Sequence, residues 1–368
     1  MVDMLKGMVD NPSSSEQSPR TPQPGRHRRD PNHTAPDNCA DHVASGTNER
    51  EDSNATIIYL RNKHAADTET DTDIAVDTNA ENTDSTTLVV PVHVRDVFHA
   101  PTQDEARQLG PAWDYGWRIG STVLIHVVHP DRAAWSARVR ETLKVHGVRM
   151  VRPIRSTDGR FINAGWRAST YIAGNPARRV DETVAAALRL DTALKEVPIP
   201  DSLVAWDATD VFVVADRAAW VEEPVVVLDP EIPAHETALR LVSRVRRFWR
   251  DLVDADGAKL PVQVTHADMF ATTIYSGAQA PAVTDLVGVV HPFGYTAAQT
   301  IVDALMMNAV DPGVIDRYRH IEHLDQLLVR ALLYRLYVHA LHPDATANTG
   351  TNLEWVTQVV TGKVDVRM

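Results

Sequence analysis

The chain has 368 residues, with 37 Lys or Arg against 49 Asp or Glu, a net charge of −12. That length allows two domains or two lobes around cores of ordinary size. The near-even charge of the organised part excludes a basic stripe for nucleic acid, and no run approaches the roughly 18 apolar residues of a membrane span.

The single cysteine, Cys39, excludes an intrachain disulfide and points to a reducing compartment. The opening "MVDMLKGMVDNPSSSEQ" has no apolar core of an export signal. The expectation is a cytoplasmic protein, without membrane or nucleic-acid partners.

Residues 1–87 carry sixteen acidic and eight basic side chains, and Tyr59 is their only aromatic. Such a segment buries too little apolar surface to offset the entropy of ordering, so a disordered acidic tail is expected. Its short run "ATIIYL" (55–60) is too small to fold alone, and Met4 and Met8 leave the true start open. Cys39 with His33 and His42 resembles a fragment of a zinc site, but a fourth ligand is missing. "RHRR" (26–29) reads as a solvated charge run.

Organised sequence begins near Thr87. "TLVVPV" and "GSTVLIHVVH" (120–129) have the β-branched composition of strands. "PDRAAWSARVRETLKVHG" (130–147) reads as a helix opened by Pro130 and closed by Gly147, with Trp135, Val139 and Leu143 at i, i+4 and i+8. "MVRPIRSTDGRFINAGWRASTYIAG" (150–174) reads as a hairpin around a Ser-Thr-Asp-Gly turn. Helical periodicity follows at 180–197, 236–254 and 314–342.

The expected class is therefore α+β and two-lobed. A small antiparallel β N-lobe with one helix covers 88–174, and a mostly helical C-lobe covers 175–368. Set into the C-lobe is "PVQVTHADMFATTIYSGAQAPAVTDLVGVV" (261–290), two short strands each followed by an Asp: Asp268, two residues after His266, and Asp285.

This order, with "GWRIGSTVLIHVV", "THADMFATTIYSG", "APAVTDL" and "LLVRALLYRLYVHAL", resembles the aminoglycoside/choline phosphotransferase branch of the protein-kinase-like superfamily, and within it an actinobacterial group. The resemblance covers most of 110–342 and leaves out the tail. It implies a kinase-like fold and Mg²⁺ with ATP or GTP if the chain is active. Catalysis of phosphoryl transfer is mostly positioning and charge stabilisation. Asp268 would then orient the attacking hydroxyl as base, and His266 would tie its loop to the neighbouring strand. Thr273 falls where the family has a metal-holding Asn, Asp285 where it has the Mg²⁺-chelating Asp, and Asp303 on a structural Asp.

The first lobe departs from the family. Ile125 falls at the phosphate-binding Lys, Arg138 at its helix Glu with Glu141 one turn on, and Pro111, Trp113 and Tyr115 interrupt the Gly-rich loop. Alternation agrees, since Val123, Ile125 and Val127 share one uncharged face, with His126 on the other. One arginine at such a site is worth roughly 10³–10⁵ in rate, about 4–7 kcal/mol. Arg118, Arg138 and Arg152 are candidates to replace the Lys. Trp166 and Tyr171 are candidates for a nucleotide or substrate pocket, with sheet packing as the plain alternative.

The reading is a degenerate, pseudokinase-like protein that binds a small molecule or a protein partner. One alternative is an active phosphotransferase acting on a small-molecule hydroxyl with a rearranged phosphate clamp. Another is a metal-dependent hydrolase using His266, Asp268 and Asp285. "HIEH" (320–323) and "HALH" (339–342) are placed on the last helices and lack zinc-motif spacing. The acidic loop at 221–236 would meet a cationic acceptor, but reads more simply as surface acidity on an acidic protein.

Overall fold

The computed structural model describes residues 90–364 except 225 and 344. All the expectations placed on residues 1–87 lie outside the described residues. The described residues fall in one compact unit, 53–368.

The described chain opens with a helix, α1 (Val92–Val97); of the strand expected over "TLVVPV" (87–92), residues 87–89 lie outside the described residues, and Val90 and Pro91 are in no strand. Pro91 starts the helix with its fixed φ, and Val94 and Phe98, one turn apart, bury against Ile119, Leu124, Trp166 and Ala168.

An antiparallel sheet follows, from β1 (Arg107–Gln108), β2 (Trp117–Ile119) and β3 (Thr122–His126). Then come α2 (Pro130–Thr142), β4 (Arg149–Met150), β5 (Pro153–Ile154), β6 (Ile162–Asn163) and β7 (Trp166–Thr170). The sheet order is β1-β2-β3-β7-β5, with β6 paired to β7. The Ser-Thr-Asp-Gly turn is present. The Ser156 hydroxyl donates to Asp158 Oδ1 at 2.5 Å, and Gly159 takes φ +81°, which a side chain would oppose.

Strand β3 alternates as its sequence predicts. Val123 and Ile125 join one apolar cluster, with Trp113, Val151, Ile274 and Ala282; Leu124 joins the cluster under α1. The loop between β1 and β2 holds a 3₁₀ turn, Pro111–Trp113, and then Asp114 and Tyr115 in left-handed conformations.

Beyond β7 the chain is mainly helical: α3 (Val180–Leu194), α4 (Asp201–Val204), α5 (Val211–Trp220) and α6 (Pro233–Arg246). The segment 263–291 forms β8 (Gln263–His266), α7 (Met269–Thr272), β9 (Thr273–Ile274), β10 (Ala282–Val283) and β11 (Gly288–His291). Strands β8 and β11 make an antiparallel pair, and β10 runs between β9 and β4, tying the two lobes together.

The chain ends in α8 (Tyr295–Met306), α9 (Gly313–Arg317), α10 (Leu324–Leu341) and α11 (Ala347–Lys363). The single helix expected over 314–342 is two, because the chain turns through Tyr318–His323 and His323 takes φ +54°. "HIEH" therefore lies in that turn and not on a helix. The helix expected over 236–254 stops at Arg246, and Phe248 and Trp249 pack against the main core instead. Helices α8 and α10 are buried nearly all round, the mark of helices inside a core. No helix among the described residues is long and apolar enough to cross a membrane.

Candidate active site

Each Asp of the 261–290 stretch sits two residues beyond a strand. Asp268 follows β8 at the mouth of α7, with its side chain 22% exposed. Its Oδ1 lies 3.7 Å from Arg335 Nη2, and Arg335 itself grips buried Asp303 through two bonds of 2.6 and 2.7 Å. Burial pushes the Asp303 carboxyl up, against the pull of Arg335, while the carboxylates hold Arg335 firmly protonated. Asp303 thereby anchors the arginine that stands beside Asp268.

His266 is wholly buried behind this loop. Its Nδ1 accepts from the Val287 N–H at 3.0 Å, which leaves the proton on Nε2 facing the Thr272 hydroxyl at 2.8 Å. That hydroxyl donates in turn to the Asp268 carbonyl at 2.7 Å. The ring thus links β8, the Asp285 strand end and the Asp268 loop. The Thr273 hydroxyl is buried and donates to the Met269 carbonyl at 2.6 Å.

Asp285 lies between β10 and β11, and its carboxylate is bound on both oxygens. Arg167 Nη1 donates to Oδ1 at 2.8 Å and Nη2 to Oδ2 at 3.0 Å, the fork geometry of a guanidinium on a carboxylate. The Ser136 hydroxyl donates to Oδ1 at 2.9 Å, and Arg140 Nε lies 3.5 Å from the same oxygen. Ser136 and Arg140, four residues apart, share the face of α2 that looks into the site. Arg138, on the helix's other side, is exposed, and Glu141 pairs with Arg155 at 2.7 Å.

Arg167 takes its position from the sheet. It is the register partner of Ile125, so the two side chains share one face of adjacent strands. The cation that the strand register sets beside Ile125 is therefore Arg167. The Arg118 guanidinium instead lies 3.8 Å over the Tyr171 ring and donates from Nε to the Gly120 carbonyl, and Arg152 is exposed. In sequence, Arg167 is one charged residue inside the buried strand "WRAST", and that placement was the available signal.

The loop expected to cradle phosphates lies on the sheet. A side chain at Gly116 would run into Ile125, and Trp113 is buried against Ile125's cluster and stacked on Tyr171, with ring centroids 5.5 Å apart. The Ala112 carbonyl accepts from the Thr284 hydroxyl, joining this loop to the stretch before Asp285. Trp166 and Tyr171 lie on opposite faces of the sheet, as their odd spacing requires. Trp166 packs under α1, away from the cleft, and meets His126 edge-on at 5.4 Å. Tyr171 alone faces the Trp113 side.

The resemblance implies Mg²⁺, and these donors do not fit it. Mg²⁺ demands close oxygen ligands in near-octahedral array, but the Asp285 oxygens are held by a guanidinium and the Thr273 hydroxyl is buried against the Met269 carbonyl. Among the described residues no group of three or more His, Cys, Asp or Glu is placed to hold a metal, so the hydrolase reading of His266, Asp268 and Asp285 has no such cluster there.

No protein-family model matches the chain, and no curated protein matches it. Among solved structures, it is similar to a microcompartment-associated aminopropanol kinase, at 12% identity over 73% of this chain and 94% of that one, with a TM-score of 0.47. It is also similar to a choline/ethanolamine kinase family protein from Mesorhizobium loti, at 13% identity over 70% and 88%, with a TM-score of 0.43. Spectinomycin phosphotransferase is similar at 11% identity over 70% and 92%, with a TM-score of 0.44. Likeness at this level says nothing about activity. The chain has a small antiparallel sheet followed by a mainly helical region.

Proposed function

We propose that this chain is a degenerate, kinase-shaped protein with a binding or regulatory role and no phosphoryl-transfer activity. One observation carries the reading. The face that would receive a nucleotide's phosphates is filled: Trp113, Val123, Ile125, Val151, Ile274 and Ala282 are buried there, and the Arg167 guanidinium beside Ile125 is held on Asp285. Bringing a polyphosphate against such a wall desolvates its charges while the Arg167 donors are engaged by Asp285, which is strongly unfavourable. The ligand of the fold is then a small molecule or a protein partner reached outside that wall.

A second reading has one observation in its favour. Arg167 stands beside Ile125 and would serve an active enzyme, with Mg²⁺ and ATP or GTP, as a relocated phosphate-binding cation. Against it, the guanidinium is already spent on Asp285.

Calorimetric titration of Mg²⁺-ATP and Mg²⁺-GTP into the full chain separates the two. The proposed function expects no binding heat at millimolar nucleotide. Saturable binding that Asp285→Asn or Arg167→Met removes would revive the enzyme and justify a screen of hydroxyl acceptors.

A further inference from the structure

We infer that the Arg167 guanidinium is a resident cation standing on Asp285 in place of a divalent metal, so that sheet, α2 and the Asp285 strand end are closed on one another without metal or nucleotide. Four donor contacts converge on the carboxylate, from two different elements of the first lobe. Arg167 comes from β7; Ser136 and Arg140 come from α2. Side-chain exposure is 6% for Arg167, 1% for Arg140 and 8% for Asp285, so solvent neither screens nor replaces these bonds.

Charges of both signs already face one another here. Arg167 faces Asp285 and, at 3.5 Å, Asp114 of the β1–β2 loop. Arg140 faces Asp285 and also donates from Nη1 to the Val151 and Thr284 carbonyls at 3.0 and 3.1 Å. Two guanidinium groups and two carboxylates thus meet in the described contacts. A divalent ion arriving at Asp285 would have to displace the Arg167 fork and would add two positive charges beside two arginines. At contact distances and an effective dielectric near 20, each like-charge pair opposes it by several times the thermal energy.

The arrangement also accounts for the joint loss of the family's Lys and Glu. The tie between strand and helix that such a pair supplies runs here through Asp285, with Arg167 on the sheet side and Ser136 with Arg140 on the helix side. The inference stands apart from the proposed function, because a chain that bound nucleotide through Arg167 without metal would satisfy it as well.

Electron paramagnetic resonance of Mn²⁺ titrated into the full chain is the test, on wild type, Asp285→Asn and Arg167→Met. Wild type and Asp285→Asn are expected to bind Mn²⁺ alike, through surface carboxylates only. Arg167→Met is expected to gain one site about tenfold tighter or more, and its thermal midpoint is expected to rise with Mn²⁺ while that of wild type does not. A single wild-type Mn²⁺ site abolished by Asp285→Asn overturns the inference. So does a folded Arg167→Met that gains no site. If Arg167→Met folds only with Mn²⁺ present, the inference is upheld; if it folds in neither condition, Arg167→Gln takes its place and the same two outcomes decide.

Discussion

Removing one member of the Arg167–Asp285 pair should cost far more than removing both. Arg167→Met deletes the two bonds of 2.8 and 3.0 Å and leaves a carboxylate with only 8% exposure beside Ser136 and a more distant Arg140. Hydrogen bonds to charged groups are worth about 1.5–3 kcal/mol each, and breaking a buried pair costs about 3–5 kcal/mol because a charge is left behind. Arg167→Met is thus expected to lose about 3–5 kcal/mol. Arg167→Met/Asp285→Leu removes both charges and should fall within about 2 kcal/mol of wild type, since apolar replacement of a buried pair is often near neutral. The residual cost is Ser136 and Arg140 losing an acceptor. Urea unfolding followed by circular dichroism and tryptophan fluorescence, on wild type, both singles and the double, measures the coupling. If the single variants lose under about 1 kcal/mol, or their losses simply add, the clamp does not exist as described.

Asp191 sets a pH dependence of its own. It is fully buried, accepts from the Gly294 N–H and the Thr296 hydroxyl, and burial pushes its carboxyl from 3.8 up to about 7. Between about pH 4 and pH 7 the folded state keeps a proton that the unfolded state has lost, so stability falls as pH rises through that window, by up to about 4 kcal/mol. Asp191→Asn should flatten this slope and gain on wild type toward neutral pH, read from urea midpoints near pH 4.5 and pH 7.5; an unchanged slope counts against it. Ile125→Lys places an ammonium across from Arg167 inside the dry cluster, and should cost about 3 kcal/mol or more without creating nucleotide binding. A folded Ile125→Lys that binds Mg²⁺-ATP would show that the cleft is open after all. Gly288→Ala should cost about 1–3 kcal/mol by overpacking, because a methyl there runs into the Trp135 ring and Leu203; a thermal midpoint equal to wild type would mean that α2 yields easily.

Several site features were legible from local pattern. The alternation of β3 assigned Ile125 to an uncharged face, and Ile125 is packed on that face. The positions of Asp268 and Asp285 after short strands follow from apolar runs ending in acidic residues. Trp166 joins the cluster under α1 and Tyr171 the cluster of Ile125, a division set by the strand's alternation. Arg138 is exposed because α2 turns Ser136 and Arg140 inward, a matter of which helix face meets the sheet. The weakly amphipathic sequence of α2, with arginine on both faces, does not single that face out.

By itself the sequence determined the order of a small β region and a helical one, the helices whose apolar residues recur every turn, and the absence of a lysine at 125. These are properties of neighbours along the chain, written in periods of two and 3.6 residues. Tertiary structure alone decided which charged groups meet beside Ile125. Arg167 meets Asp285 across 118 residues of sequence and Ser136 meets it across 149. No local period encodes such a pairing. It depends on the register of β7 against β3, the rotation of α2 and the path of the chain after β10, and these are set together when the two lobes pack.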